Sequence, residues 1–297
     1  MIISASRRTD VPSNYADWFF NRVREGFALV RSPMAFHKVR RVDLTPAAVD
    51  GMVFWTKNPA PMLPRLDELK NYTYYFQFTL TPYGADVEPN LPSKDALIET
   101  FKRLSGKIGP DRVIWRYDPI LINAKYTADF HITAFERMAW ELRGFTTKTV
   151  ISFIDAGYRG VKGNADKLAL SDITDEVKAR LAADLVPIAR GFGISVDACA
   201  EKTDLSRYGV GRARCVDGQL FSKLLGREIG VKKDKNQRPA CGCAASVDIG
   251  MYNTCPSGCL YCYANYNPAT IAKNRLEHDP RSPFILGDLR PGDVISE

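Results

Sequence analysis

The amino-acid sequence predicts an α/β fold built on parallel strands, and three observations predict it. Apolar runs rich in β-branched and aromatic residues recur along about the first 200 residues, helical patterns lie between them, and polar residues follow each run. Runs that are this continuously apolar are typical of strands covered on both faces, as in a parallel sheet. The alternation therefore predicts a (β/α)6 arrangement, which is either a partial barrel or a doubly wound sheet.

Six strands and five helices follow from this pattern. The strands are predicted at Ile2 to Ser6, Gly51 to Trp55, Thr73 to Thr81, Arg112 to Arg116, Thr149 to Ile154 and Ile194 to Ala198. The helices are predicted at Tyr15 to Arg24, Pro61 to Leu69, Ser93 to Leu104, Thr127 to Leu142 and Thr174 to Ala189. Ser93 is a helix start signal, and Gly109 followed by Pro110 ends that helix before the next strand.

The sequence changes character after residue 200, where segments become short and rich in Gly and Lys. Six of the seven cysteines fall between Cys215 and Cys262. We therefore divide the chain into a (β/α)6 unit at 1–200 and a cysteine-rich region with a C-terminal extension at 201–297, packed together as one unit. Active sites of parallel α/β folds lie at the carboxyl ends of the strands, so we expect the cysteine region to fold across that end. Residues 27–42 are expected to form a small excursion from the main fold.

Composition limits the classes of function. The chain has 297 residues, 45% hydrophobic and 25% charged, and its apolar runs are too short to span a membrane. The first arginines, Arg7 and Arg8, follow a very short apolar run, which is the reverse of a signal peptide, so we expect a cytoplasmic protein. The net charge of +7 favours an anionic partner such as nucleic acid, a nucleotide or a phosphorylated metabolite. The basic runs at 37–41 and 232–238 are short and carry no interleaved aromatic residues, so solvated loops explain them better than a binding groove.

Three cysteines near the C-terminus have the spacing of a metal site. Cys255, Cys259 and Cys262 are separated by three and then two residues, with Tyr261 before the last of them. Four thiolates normally complete an electron-transfer cluster, and four Cys or His ligands a structural zinc site. Three thiolates leave one iron of a cubic cluster open to a ligand that can react, so this motif predicts a reactive centre.

The other four cysteines are the number needed for one complete second cluster or one structural zinc site. They are Cys199, Cys215, Cys241 and Cys243. An odd total of seven in a long chain disfavours a disulfide scaffold. The alternative is that Cys199 and Cys215 are small buried hydrophobic residues.

The motif from Cys255 to Cys262 resembles the signature of the radical S-adenosylmethionine (SAM) enzymes. More broadly, the chain resembles an uncharacterised bacterial family with a C-terminal cysteine cluster of this kind. The resemblance implies a partial (β/α)6 barrel, like part of a TIM barrel, whose mouth is covered by the iron-sulfur region. It implies that the three cysteines bind a [4Fe-4S] cluster that chelates SAM, with Tyr261 near its adenine. Reductive cleavage of SAM then yields methionine and a 5′-deoxyadenosyl radical, with electrons from a donor of the flavodoxin or ferredoxin type. The superfamily usually carries this loop after the first barrel strand, whereas here it lies at the far end of the chain.

Charged residues follow the predicted strands and are typical of a site for a zwitterionic or anionic ligand such as SAM. The candidate catalytic residues are Arg7, Lys57, Arg116 and Asp118, and the candidate SAM contact besides Tyr261 is Glu201. For each, the alternative is an ion pair or a helix cap. The stretches at 55–58 and 116–119 resemble strand ends of the spore photoproduct lyase branch of the superfamily, which implies a nucleic-acid substrate.

Two hypotheses result. The first is a radical SAM enzyme with an auxiliary iron-sulfur or zinc centre, acting on a small molecule or a nucleic acid. The second is a non-enzymatic zinc or iron-sulfur protein that binds nucleic acid, in which all seven cysteines are structural. Hydrolytic chemistry has little support because the three histidines are scattered, and no Gly-x-Gly-x-x-Gly or Walker sequence follows a predicted strand.

Overall fold

A computed structural model describes residues 1–297 and contains an eight-stranded sheet in which every neighbouring pair of strands is parallel. The strands of the protein are β1 (Ile2–Ala5), β2 (Phe27–Arg31), β3 (Lys38–Asp43), β4 (Gly51–Thr56), β5 (Tyr74–Thr79), β6 (Val113–Ile120), β7 (Lys148–Phe153), β8 (Ser195–Ala198), β9 (Gly211–Arg212), β10 (Val247–Asp248) and β11 (Val294–Ser296). The order across the main sheet is β10-β1-β4-β5-β6-β7-β8-β9, and a second sheet has the order β11-β3-β2. The predicted α/β class with a large parallel sheet is confirmed.

Six of the nine helices begin at a polar side chain that caps their first turn. The nine helices are α1 (Val11–Asn14), α2 (Ala16–Glu25), α3 (Lys94–Ile108), α4 (Ala128–Leu142), α5 (Arg159–Gly163), α6 (Ala165–Leu168), α7 (Asp175–Gly191), α8 (Gly218–Leu225) and α9 (Pro268–Leu276). Ser93, Thr127 and Thr174 each accept a hydrogen bond from a backbone N–H in the first turn of α3, α4 and α7. The predicted helix at 61–69 is a 3₁₀-helix at Leu63–Leu69.

The order of the strands places the long helices on one face of the sheet. Each crossover connection places the next strand one position further along the sheet, always in the same direction, in the order β1, β4, β5, β6, β7 and β8. Crossovers between parallel strands are right-handed, so successive moves in one direction put their helices on the same side. Accordingly, side chains of α2, α3, α4 and α7 share one buried core with Phe54, Phe76 and Trp115 of the sheet. A doubly wound sheet would have helices on both faces.

The other face of the sheet is covered by the chain between residues 199 and 245. Tyr75, Ile114 and Val150 belong to a separate apolar cluster that includes Cys215 and Phe221. A Cβ atom at residue 51 would lie 2.1 Å from the ring of Phe221, so only glycine allows α8 to approach β4 this closely.

All six predicted strands are present, but β9 and β10 were not predicted. Each has two residues, which is too short to show an alternating or continuous apolar pattern. Both come from the region 201–297, so that region supplies two strands of the main sheet. The excursion at 27–42 forms the β2–β3 hairpin, and β11 extends it into the second sheet. None of the helices has both the length and the apolar character needed to cross a membrane.

A buried histidine makes the stability of this fold depend on pH. His131 is fully buried, with Tyr117 Oη 2.8 Å from its Nδ1 and the carbonyl oxygen of Leu121 2.8 Å from its Nε2. Burial lowers the pKa of His131 to about 4. The unfolded chain therefore binds a proton at higher pH than the folded protein, and stability is lost as pH falls from about 6.5 to 4.

We expect the substitution His131→Gln, which keeps hydrogen-bonding groups but cannot titrate, to flatten this dependence. Between pH 7 and pH 4, the wild-type free energy of unfolding should fall by about 3 kcal/mol more than that of the variant. Urea unfolding at several pH values measures the difference. His37→Gln, at an exposed histidine, is the control and should keep the wild-type slope. Parallel profiles for wild type and His131→Gln would contradict the prediction.

Candidate functional site

The loop that carries Cys255, Cys259 and Cys262 follows β10 and lies at the carboxyl edge of the main sheet. It contacts the segments that follow three other strands. Tyr263 Oη donates to the carbonyl oxygen of Arg7 after β1 at 2.6 Å, and Leu260 N donates to the carbonyl oxygen of Val87 after β5 at 3.0 Å. Asn164 Nδ2, after β7, donates to the carbonyl oxygen of Leu260 at 2.8 Å. The cysteine loop thus spans the edge where ligands bind in parallel α/β folds.

Local hydrogen bonds and close backbone packing fix the conformation of this loop. The side-chain oxygen of Asn265 accepts the N–H groups of Thr254 and Cys255 at 2.8 and 2.9 Å. On the other side, a Cβ atom at residue 160 would lie 2.1 Å from the carbonyl oxygen of Cys262, so glycine is required where α5 meets the loop. The loop is therefore held in place independently of any ligand.

The three thiols of this loop are shielded and lie near polar side chains. Cys255 and Cys259 are buried, and burial raises the pKa of Cys255 to about 12 and that of Cys259 well above its ordinary value. The amide nitrogens of Asn14 and Asn265 lie 3.9 Å from Cys255 Sγ and 3.8 Å from Cys262 Sγ. No three His, Cys, Asp or Glu side chains of the protein are arranged around a single metal ion.

A buried carboxylate, that of Glu88, lies beside the cysteine loop and is not indicated by the sequence. Glu88 Oε1 accepts from Lys57 Nζ at 2.7 Å and from Thr81 Oγ1 at 2.7 Å, and the hydroxyl of Tyr261 and the ammonium of Lys94 also donate to Glu88. The Glu88 side chain is only 1% exposed. Burial alone would raise its pKa, but Lys57 and Lys94 lower it to about 2. Glu88 is therefore ionised and holds two cations next to Tyr261.

The four remaining cysteines come together on the sheet face opposite the long helices. Cys199 directly follows β8, and its Sγ lies 3.5 Å from that of Cys215. The Sγ of Cys243 accepts the N–H of Val216 at 3.4 Å, and the thiols of Cys215 and Cys241 lie near it. Hydrogen bonding from Cys243 lowers the pKa of Cys241 to about 7. We call Cys199, Cys215, Cys241 and Cys243 the outer cysteine group.

Side chains of β5 and β6 position the outer cysteine group. Residues two apart on a strand point to the same face, so Tyr75 and Gln77 both reach it, and both donate to the carbonyl oxygen of Cys215 at 2.8 and 3.0 Å. Arg116 donates to Cys215 Sγ at 3.0 Å and is paired with Asp118, which also accepts from Ser152.

Two arginines flank an indole between the two cysteine groups. The guanidinium carbons of Arg7 and Arg116 lie 5.5 and 5.2 Å from the ring centroid of Trp55. Arg7 also donates to Ser246 Oγ at 3.2 Å and lies 3.7 Å from Asp234. Burial would lower the pKa of Arg116, but Asp118 and the nearby thiols raise it well above its ordinary value, so this buried group stays cationic.

The structure brings most of the predicted site residues to one edge of the sheet. Lys57 and Tyr261 both donate hydrogen bonds to Glu88. Arg116 donates to Cys215 and is paired with Asp118, which also accepts from Ser152. Glu201 is occupied elsewhere: its Oε1 accepts from Lys178 Nζ at 3.1 Å and from the N–H groups of Lys202 and Thr203. This is an ion pair with a capped turn, which is the alternative that the sequence left open.

Glu88 lies in no recognisable motif, so the sequence did not indicate it. It is in an irregular loop after β5, where an isolated acidic residue is normally solvated. Trp55 belongs to the stretch 55–58 at a predicted strand end, but only the neighbouring Arg7 and Arg116 give it a role at the site. Its position at a strand end was the available signal.

The fold and site define an α/β protein with two cysteine groups, one on a loop at the carboxyl edge of a parallel sheet and one on a sheet face. The chain belongs to the family described as Domain of unknown function (DUF1848), whose model matches residues 2–264. No curated protein and no solved structure matches the chain.

Proposed function

We propose that this protein is a radical SAM enzyme whose reactive centre is a [4Fe-4S] cluster on Cys255, Cys259 and Cys262. One observation carries the proposal: the loop with the three-then-two cysteine spacing follows a strand of the parallel sheet and is hydrogen-bonded to the segments that follow β1, β5 and β7. That edge is where such folds hold their ligands.

The cysteine loop lies at the far end of the chain, whereas the superfamily usually carries it after the first barrel strand, but its position in the sheet is compatible with the proposal. β10 pairs in parallel with β1, Ile3 opposite Val247 and Ser4 opposite Asp248. The cysteine loop therefore follows a strand beside β1, although it comes late in the chain. Counted across the sheet from β10, the strands are β10, β1, β4, β5, β6 and β7, followed by β8 and β9. In this count the cysteine loop comes after the first strand, as it does in the superfamily that the motif resembles. We extend the proposal to a partial barrel with the cysteine region across its mouth, consistent with helices on one face only.

The three thiols of the loop suit a cubic cluster. Each cysteine of such a cluster binds a different iron, so the three thiolates need not surround a single atom. The amides of Asn14 and Asn265 lie near two of the sulfurs, as neighbours that tune a cluster would.

When bound, the cluster supplies the electron that cleaves SAM to methionine and a 5′-deoxyadenosyl radical, which takes a hydrogen atom from the substrate. The protein's own residues orient and shield the reactants. Arg7 and Arg116 present cationic groups able to bind a carboxylate, and Asp118 presents an anionic group able to bind an amine. The outer cysteine group is proposed to hold an auxiliary iron-sulfur or zinc centre, with Arg116 offsetting its thiolate charge.

Anaerobic purification with metal analysis and electron paramagnetic resonance tests the proposal. We expect a reducible iron-sulfur signal that changes when SAM is added, and formation of 5′-deoxyadenosine under a strong reductant. A colourless zinc protein that does not respond to SAM would overturn the proposal and favour the non-enzymatic alternative. Binding to nucleic acid, measured across a salt series, then separates a nucleic-acid substrate from a small molecule.

A further inference from the structure

The segment after β5 forms a second support for the cysteine loop. Besides the hydrogen bond between Val87 and Leu260, Asn90 Nδ2 donates to the carbonyl oxygen of Pro256 at 2.8 Å. A Cβ atom at residue 258 would lie 3.0 Å from Asn90 Nδ2, and Gly258 has a φ of +70°, so a larger residue would be strained there. Glu88 lies in the middle of this segment, so its position is fixed relative to the cysteines.

We infer that Lys57, held by Glu88, is a positioning residue whose charge makes the cluster bound by Cys255, Cys259 and Cys262 easier to reduce. This inference rests on the proposed function. Reduction adds one negative charge to the cluster, and a fixed cation nearby stabilises that charge.

Two contacts hold Lys57 beside the cysteine loop. Its Nζ lies 2.7 Å from Glu88 Oε1 and 5.3 Å from the ring centroid of Tyr261, which immediately precedes Cys262. The Lys57 side chain is 13% exposed, and although burial lowers its pKa, Glu88 and Cys259 raise the pKa above its ordinary value. In a shielded environment a charge acts over a longer distance than it does in water.

Lys94, the second lysine that binds Glu88, can be compared with Lys57. Lys94 binds the same carboxylate but is 26% exposed, twice as much as Lys57. Cys259 interacts electrostatically with both lysines, but the greater exposure of Lys94 to water screens its charge more strongly. Lys57 is therefore expected to have the larger effect on a cluster held by this loop.

The test is a redox titration of the anaerobically purified holoprotein, followed by the reduced-cluster signal in the absence of SAM. Lys57→Gln keeps a hydrogen-bonding group for Glu88 and removes the charge. At the wild-type midpoint potential, we expect the ratio of reduced to oxidised cluster to fall about tenfold. Lys57→Arg, which keeps the positive charge, should give the wild-type ratio of reduced to oxidised cluster. The matched control Lys94→Gln should lower this ratio by less than Lys57→Gln does.

The outcomes separate this inference from the proposed function. A wild-type protein without a reducible cluster would overturn both. A normal cluster with the same midpoint potential in wild type and Lys57→Gln, or equal shifts for Lys57→Gln and Lys94→Gln, would overturn the role of Lys57 alone. Should Lys57→Gln fail to assemble a cluster, the Lys57→Met and Lys57→Arg proteins decide, since only loss of charge is expected to change the ratio.

Discussion

Replacing Cys259 by alanine is expected to abolish the SAM-responsive iron signal and to lower the iron content by about four atoms per chain. Cys259 is buried in the cysteine loop, and Lys57, Cys262 and Cys255 are among the groups that interact electrostatically with its thiol. With two thiolates left, the cluster loses one of the three protein ligands on which its assembly depends.

The measurement is iron analysis together with electron paramagnetic resonance of the reduced protein, with and without SAM. Cys241→Ala, which alters the outer cysteine group, is the matched control and should keep the SAM response. Retention of the response in Cys259→Ala would show that the loop is not the reactive centre. Loss of every metal signal in Cys259→Ala would show that the seven cysteines are not divided as proposed.

Cys215→Ala is expected to remove the second metal centre and leave the SAM-responsive signal in place. Cys215 is the central member of the outer cysteine group, because its thiol contacts Cys199, Cys243 and Arg116. Removing it leaves the Arg116 guanidinium facing a cavity and three thiols without the fourth ligand. Because metal binding contributes to folding, we expect the melting temperature to fall by at least about 10 °C.

The alternative makes a different prediction for the same variant. If Cys215 is only a small buried hydrophobic residue, the substitution removes one atom from the core, costs about 1 kcal/mol and changes no metal content. Metal analysis of Cys215→Ala beside the wild type distinguishes the two. An unchanged metal content with a small loss of stability would contradict an auxiliary centre.

The cysteine loop shows what can be predicted from local sequence alone. The spacing of Cys255, Cys259 and Cys262 is local, so it identified a candidate site without any structure. Continuous apolar runs likewise predicted the six long strands, because burial on both faces leaves a strong one-dimensional signal. The short strands β9 and β10 leave no such signal, and they were recognised only when the backbone hydrogen bonds were seen.

Glu201 shows what local sequence leaves open. It follows a strand, as Arg7 does, and nothing in the chain before it indicates that Lys178 will pair with it. A charged residue near a strand end can face the site or an adjacent helix, and the choice depends on contacts far apart in sequence. Asp118 and Lys57 face the site for the same kind of non-local reason, through Arg116 and Glu88.

By itself, the sequence determined the α/β class, the six long strands and the three-cysteine motif, since hydrophobic periodicity and ligand spacing are both properties of neighbouring residues. Only the tertiary structure placed β10 beside β1, gathered Cys199, Cys215, Cys241 and Cys243 from separate segments, and buried Glu88 under the cysteine loop. These features depend on strand pairing and on contacts between residues that are far apart in the sequence, and they form only when hydrogen bonds and ion pairs between distant segments offset the cost of removing polar groups from water.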